Sequence, residues 1–257
     1  MEIRILGAHS GEAKGARMTS ILIDGTIALD AGGLTASLSL AEQQRIRAIL
    51  LTHHHFDHSR DLVTLGANGA FFKQPVEIFA LAETFEILKD CLLDGKIYAD
   101  FSKWPSKEKP FLVQKTVEPL KQQNICGYGV LPVSVQHEVP SVGFQITAKD
   151  GKSLFYTGDT GQGIADCWRN ISPDLLIVEV SGPDKSQDYF NRIGHLSPEL
   201  LQKVLTEFRG VRRYLPRVVV IHIPPSHQRE VEREIKIVAR RLQTRIDIGR
   251  EGMKINL

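Results

Sequence analysis

Cysteine is scarce in this chain: its 257 residues include three, Cys91, Cys126 and Cys167, widely spaced and odd in number. With no CxxC pair and no even set, neither a disulfide framework nor a thiolate zinc site is indicated, and a reducing cytoplasm fits best. Long apolar runs are missing too. The opening MEIRILGAHSGEAKG turns to glycine and charge too early for the apolar core of a signal peptide, and no later stretch could span a bilayer, so membrane partners are not expected. Nor does one sign of charge dominate. A formal net charge of +2 provides no global field to gather nucleic acid, so any anionic ligand must be held locally. The late arginines, among them Arg209, Arg212, Arg229 and Arg233, lie partly among glutamates on a segment with helical periodicity and read as a solvated face. Repeats, low-complexity tracts and linkers are also lacking, which favours one domain over residues 1–257.

What is present is an ordinary globular composition, 42% hydrophobic and 24% charged, able to fold throughout. The chain opens on β-rich runs, Ile3 to Leu6, Ser20 to Ile23 and Thr26 to Leu29, the last two joined by a hairpin turn at Asp24 and Gly25. Ala48 to Leu51 is almost wholly apolar, as expected of a strand covered on both faces. Further strands are expected at 76–80, 112–117, 130–135, 142–147, 153–156, 175–180 and 218–223. Helices are expected at about 59–70, 82–93, 197–208 and 226–242, with Ser197 as N-cap ahead of Pro198. Residues 94–111, with two prolines, read as a surface excursion; its Tyr98, Phe101 and Trp104 would serve a homodimer contact or wall a substrate pocket. Interleaved strands and helices, with strands in the majority, indicate an α/β (α+β) fold of two mixed sheets packed together under outer helices.

Chemistry concentrates in Thr52-His53-His54-His55-Phe56-Asp57-His58, which leaves a buried strand and enters a helix and contains HxHxDH. Alternate residues of an extended segment share a face, so His53, His55 and Asp57 can point one way while the turn into the helix brings His58 round. Four ionisable side chains crowded at a strand end are costly to desolvate unless something compensates them, and a pair of divalent cations does so. Imidazole and carboxylate donors suit zinc first, with manganese or iron as the other candidates. His137, Asp159 and His222 follow, each at the end or edge of an expected strand. Any one of them alone would read as a core or turn residue; their joint order is harder to dismiss.

The series resembles the metallo-β-lactamase superfamily, whose members place HxHxDH, a lone histidine, a lone aspartate and a final histidine in this order. The resemblance implies a four-layered αββα sandwich. It also implies two metals: His53, His55 and His137 on one, Asp57, His58 and His222 on the other, and Asp159 bridging. Superfamily members with oxygen chemistry typically carry an acid where His55 stands, so hydrolysis is implied. Within the superfamily, the Asp30-Ala31-Gly32 turn, the TFEILKDCLLDGKIYADFSKWPS segment and above all Gly194-His195-Leu196-Ser197-Pro198 resemble class II cyclic-nucleotide phosphodiesterases. That likeness implies hydrolysis of a 3′,5′-cyclic nucleotide, cyclic AMP or cyclic GMP, to the 5′-monophosphate. Asp57 and His195 are then the candidate catalytic residues, His195 for phosphate contact or leaving-group protonation. Phe56 and Ser59-Arg60-Asp61 depart from the usual pattern beside the ligands and bear on which diester is cut. His9, His54 and His227 lie outside any motif and read as structural or surface residues.

Two other functions use the same residues. An RNase Z-like tRNA endonuclease needs a basic docking arm, for which the excursion offers only Lys103, Lys107 and Lys109; nucleic acid is therefore the less favoured partner. A non-catalytic nucleotide sensor would keep the ligands only to hold a small molecule.

Overall fold

The computed structural model of the chain describes residues 1–69, 72 and 74–257. Among them, sixteen strands run as β1 (Glu2–Gly7), β2 (Ser20–Ile23), β3 (Ile27–Leu29), β4 (Ala48–Leu50), β5 (Val76–Ala80), β6 (Pro105–Ser106), β7 (Lys109–Pro110), β8 (Leu112–Thr116), β9 (Gln123–Ile125), β10 (Tyr128–Ser134), β11 (Val142–Thr147), β12 (Ser153–Tyr156), β13 (Leu175–Glu179), β14 (Arg217–Ile221), β15 (Ile246–Ile248) and β16 (Lys254–Asn256). The helices are α1 (Leu40–Gln43), α2 (Phe56–Ser59), α3 (Asp61–Gly69), α4 (Ala82–Cys91), α5 (Gln187–Arg192), α6 (Pro198–Arg212) and α7 (Gln228–Arg241). One sheet has the order β16-β1-β2-β3-β4-β5-β8 and the other β15-β14-β13-β12-β11-β10-β9. Each is antiparallel on one side and parallel on the other.

Strand alternation explains the layering. Ile3, Ile5, Ile21, Ile23 and Leu50 of the first sheet meet Phe144, Ile146, Leu154, Tyr156 and Ile177 of the second in a core between the sheets. The outer face of the second sheet, including Leu176, Val178, Val218 and Val220, is covered by Leu200, Leu201, Leu205 and Phe208 of α6 and by Val231 and Ile235 of α7. On the other side Ile49 and Ile78 lie under Leu62 and Leu65 of α3 and Phe85 and Leu88 of α4. Both faces of both sheets are thus buried, in the expected αββα order.

Several elements fall where periodicity places them, and Ser197 caps α6 by accepting a hydrogen bond from Leu200 N. Some expectations need correction. The helix expected from Ser59 starts at Phe56 inside the motif and divides at Arg60; its expected end at Ala70 lies outside the described residues. His222 stands just past β14 rather than within it, at φ 67°. Phe101 is not available for a homodimer contact, because its ring is buried against α3 where Gly66 leaves room; a Cβ there would lie 2.3 Å from the ring. Among the described residues no helix is long and apolar enough to cross a membrane.

Candidate metal centre

The carboxyl ends of β3, β4, β10, β12, β13 and β14 gather along one edge where the two sheets meet. Val142 N donates to Thr52 O at 3.1 Å and His222 N to Ala8 O at 2.6 Å, joining the sheets there. His53 and His55 leave β4 extended, and α2 begins at Phe56, so Asp57 and His58 come from its first turn rather than from a continued extended run. The Asp30-Ala31-Gly32 turn packs under this helix so tightly that a Cβ on Gly32 would sit 1.8 Å from the Asp57 carbonyl oxygen; only glycine fits.

All seven metal-ligand candidates converge, in two groups that share Asp159: His53, His55, His137 and Asp159 in one, Asp57, His58, Asp159 and His222 in the other. Asp159 turns one oxygen to each. Its Oδ2 lies 3.7 Å from His53 Nε2 and 3.9 Å from His137 Nε2, while its Oδ1 lies 3.2 Å from both His58 Nε2 and His222 Nε2. His137 Nε2 is 3.3 Å from His55 Nδ1, and His222 Nε2 is 3.1 Å from Asp57 Oδ2. Ligand atoms about 2.0–2.1 Å from a tetrahedral zinc stand about 3.3 Å apart, so these separations suit donors around a cation.

The outer ring of hydrogen bonds fixes which nitrogen faces inward. His58 Nδ1 donates to Asp30 Oδ2 at 2.7 Å and His137 Nδ1 to Gly194 O at 3.1 Å. Ser181 Oγ donates to Glu179 Oε2 at 2.8 Å and so accepts from His222 Nδ1, also at 2.8 Å. Thr52 Oγ1 donates to Asp30 and accepts from His53 Nδ1 at 3.0 Å. Each of these four imidazoles therefore turns Nε2 toward Asp159 and, in its neutral form, presents a lone pair there. Among the described residues, the buried His53 Nε2 and Asp159 Oδ1 have no hydrogen-bond partner. Orphaned buried polar atoms cost about 1–3 kcal/mol each, and lone pairs aimed at common points are what a bound cation satisfies. The residues fit a dinuclear divalent metal site.

Electrostatics agree. Burial, then the neighbouring His58, pushes His53 well below its ordinary value, keeping it neutral. Burial opposes a charge on His58, but Asp159, Asp30 and Asp57 more than offset it and raise it well above. Burial would raise Asp159, yet His222 and His58 hold it well below the usual carboxylate range. The carboxylates thus favour positive charge at His58, while burial keeps His53 neutral.

His195 stands beside the cluster, its ring centroid 4.9 Å from that of His137 and 5.7 Å from that of His222. Its Nδ1 donates to Glu179 Oε1 at 2.8 Å. Burial opposes protonation, but the Glu179 carboxylate outweighs it and lifts His195 to about 9. The supporting roles of Glu179, Ser181, Asp30 and Thr52 do not follow from the sequence. The readable signals are the Asp30-Ala31-Gly32 turn and an acid, Glu179, ending an otherwise apolar strand. Of the remaining histidines, His9 is bound to Glu251 at 2.7 Å, His54 belongs to neither ligand group, and His227 is the N-cap residue of α7 without a side-chain capping bond.

A family model described as the beta-lactamase superfamily domain matches residues 19–223. The chain belongs to the β-lactamase superfamily. No curated protein sequence matches it. Among solved structures, this superfamily member is similar to unliganded yeast PDE1, with TM-score 0.83, 20% identity, and coverage of 100% of this chain and 99% of that one. It is similar also to YhfI from Bacillus subtilis, a metallo-beta-lactamase fold protein, at TM-score 0.78 and 16% identity over 99% of both chains. The short form of human tRNase Z (ELAC1) follows at TM-score 0.68 and 19% identity, covering 100% of this chain and 99% of that one. These likenesses establish the fold; the family match, with the His/Asp cluster, makes the chain a metallo-β-lactamase-fold hydrolase.

Proposed function

We propose that this hydrolase is a dinuclear metal-dependent phosphodiesterase that opens 3′,5′-cyclic nucleotides to nucleoside 5′-monophosphates. His53, His55 and His137 would hold one divalent cation, zinc first among candidates, Asp57, His58 and His222 the second, and Asp159 both. Bound there, the cations supply the charge and the activated water that phosphodiester hydrolysis needs. The chain's residues do the rest. Asp57, 21% exposed against 3% for Asp159, is the carboxylate open to entering water and able to take up its proton. His195, held through Nδ1 by Glu179, presents Nε2 beside the cluster to protonate the leaving ribose oxygen. The observation that carries this reading is the convergence of two donor groups on the two oxygens of Asp159 next to a carboxylate-held imidazole.

A small substrate is favoured over tRNA by the adjoining cleft. It has a volume of about 580 Å³, shares His137 with the cluster, and is lined by Glu83, Glu118 and Glu138 without a lysine or arginine. Such walls repel a polyanion. The free cysteines suit the cytoplasm. The test is a metal-defined screen of bis-p-nitrophenyl phosphate, cyclic AMP, cyclic GMP and a tRNA precursor. Turnover of a cyclic nucleotide is expected. Preference for the tRNA precursor would point to an endonuclease, and binding without product to a sensor.

A further inference from the structure

Tyr156 lies at the centre of the core between the sheets, 1% exposed, and as a core residue it has no need of a hydroxyl. That hydroxyl donates to Asp30 Oδ2 at 2.6 Å. Asp30 is wholly buried, takes a left-handed backbone at φ 55°, and also receives Thr52 N at 2.8 Å, Thr52 Oγ1 at 2.9 Å and His58 Nδ1 at 2.7 Å. The carboxylate thus controls both halves of the cluster: His58 directly, and His53 through Thr52 Oγ1. Of its partners among the described residues, only Tyr156 comes from the second sheet, the one that supplies His137, Asp159 and His222. A left-handed aspartate is costly and persists where its surroundings hold it.

Resting on the dinuclear reading above, we propose that Tyr156 is a positioning residue of the metal centre: by fixing Asp30 across the sheet interface, it sets the orientation and tautomer of His58, and through Thr52 those of His53. The phenol never touches a metal. Its loss leaves Asp30 Oδ2 short of a donor and free to turn away from His58 Nδ1, so that Nε2 of His58 no longer carries a fixed inward lone pair.

The experiment is equilibrium zinc binding to metal-stripped protein, by competition with a chromophoric chelator, on wild type, Tyr156→Phe and Tyr128→Phe. Tyr128 makes a comparable bond to Asp24 at the surface and serves as control. Tyr156→Phe keeps the core volume; the expected result is about tenfold weaker binding of one ion, with a shift of the His58 imidazole tautomer in nitrogen NMR spectra, and no change in Tyr128→Phe. Wild-type affinity for both ions in Tyr156→Phe overturns the proposal. Should that variant not fold, Thr52→Val decides in its place: weakened zinc binding supports the assignment, unchanged binding overturns it. A wild-type chain that binds no zinc would instead defeat the dinuclear reading itself.

Discussion

At the scale of single residues, His195 gives the sharpest expectation. If its imidazole protonates a leaving alkoxide, His195→Ala should slow cyclic nucleotide turnover by about 10²–10³-fold while slowing bis-p-nitrophenyl phosphate far less, since p-nitrophenolate leaves without a proton. Equal losses on both substrates, measured as kcat, would contradict proton donation. Glu179→Gln should follow the same pattern more weakly, because Glu179 reaches the cluster through its partners His195 Nδ1 and Ser181. The seven ligand candidates were legible as a converging set because histidine and aspartate in HxHxDH, followed by three more at strand ends, form an order that few other arrangements produce; His195 was legible instead from the likeness of Gly194-His195-Leu196-Ser197-Pro198 to class II cyclic-nucleotide phosphodiesterases. Their supports were not. Thr52 and Ser181 are hydroxyls in ordinary sequence, and the link from Tyr156 to Asp30 joins residues far apart in the chain.

At the scale of elements, what was legible followed pattern length. Val76–Ala80, Val142–Thr147 and Ser153–Tyr156 emerge with the boundaries expected. The three-residue strands β9, β15 and β16 are too short to show a period, and they exist because β10, β14 and β1 offer free edges to pair with. The short helix α1 carries its own sequence signal, a capping box formed by Ser39 and Glu42. The excursion was read as surface because prolines and charges dominate it, whereas Phe101 and Phe111 anchor it inward on α3. Phe101→Ala should cost about 3–5 kcal/mol in urea denaturation; a loss below about 1 kcal/mol would mean the segment is not anchored.

The loop after β1 is held at its ends by Glu251, whose Oε1 accepts from His9 Nδ1 at 2.7 Å and from Arg17 N at 2.9 Å. Partial burial would raise this carboxyl, but those bonds prevail and lower it from 4.5 to about 2. A carboxyl depressed on folding stabilises fully above its unfolded value and loses that contribution as pH falls through the folded one. Hence the stability gap between wild type and Glu251→Gln should be widest above about pH 4.5 and close toward about pH 2. A gap that stays constant across that range in denaturant titrations would show that Glu251 is not charged in its clasp.

At the scale of the whole molecule, two sheets buried on both faces form a rigid frame, and that frame brings carboxyl ends of six strands to one edge. The sandwich was expected from interleaved strands and helices, but convergence at one edge depends on strand order, which no periodicity records. The most direct test of that convergence is metal content by elemental analysis, read alongside hydrolysis, for wild type and Asp159→Ala. A bridging Asp159 requires two ions per wild-type chain, loss of at least one in the variant, and a fall in turnover of roughly a thousandfold. A variant that kept both ions and wild-type turnover, or a wild type active without metal, would contradict it.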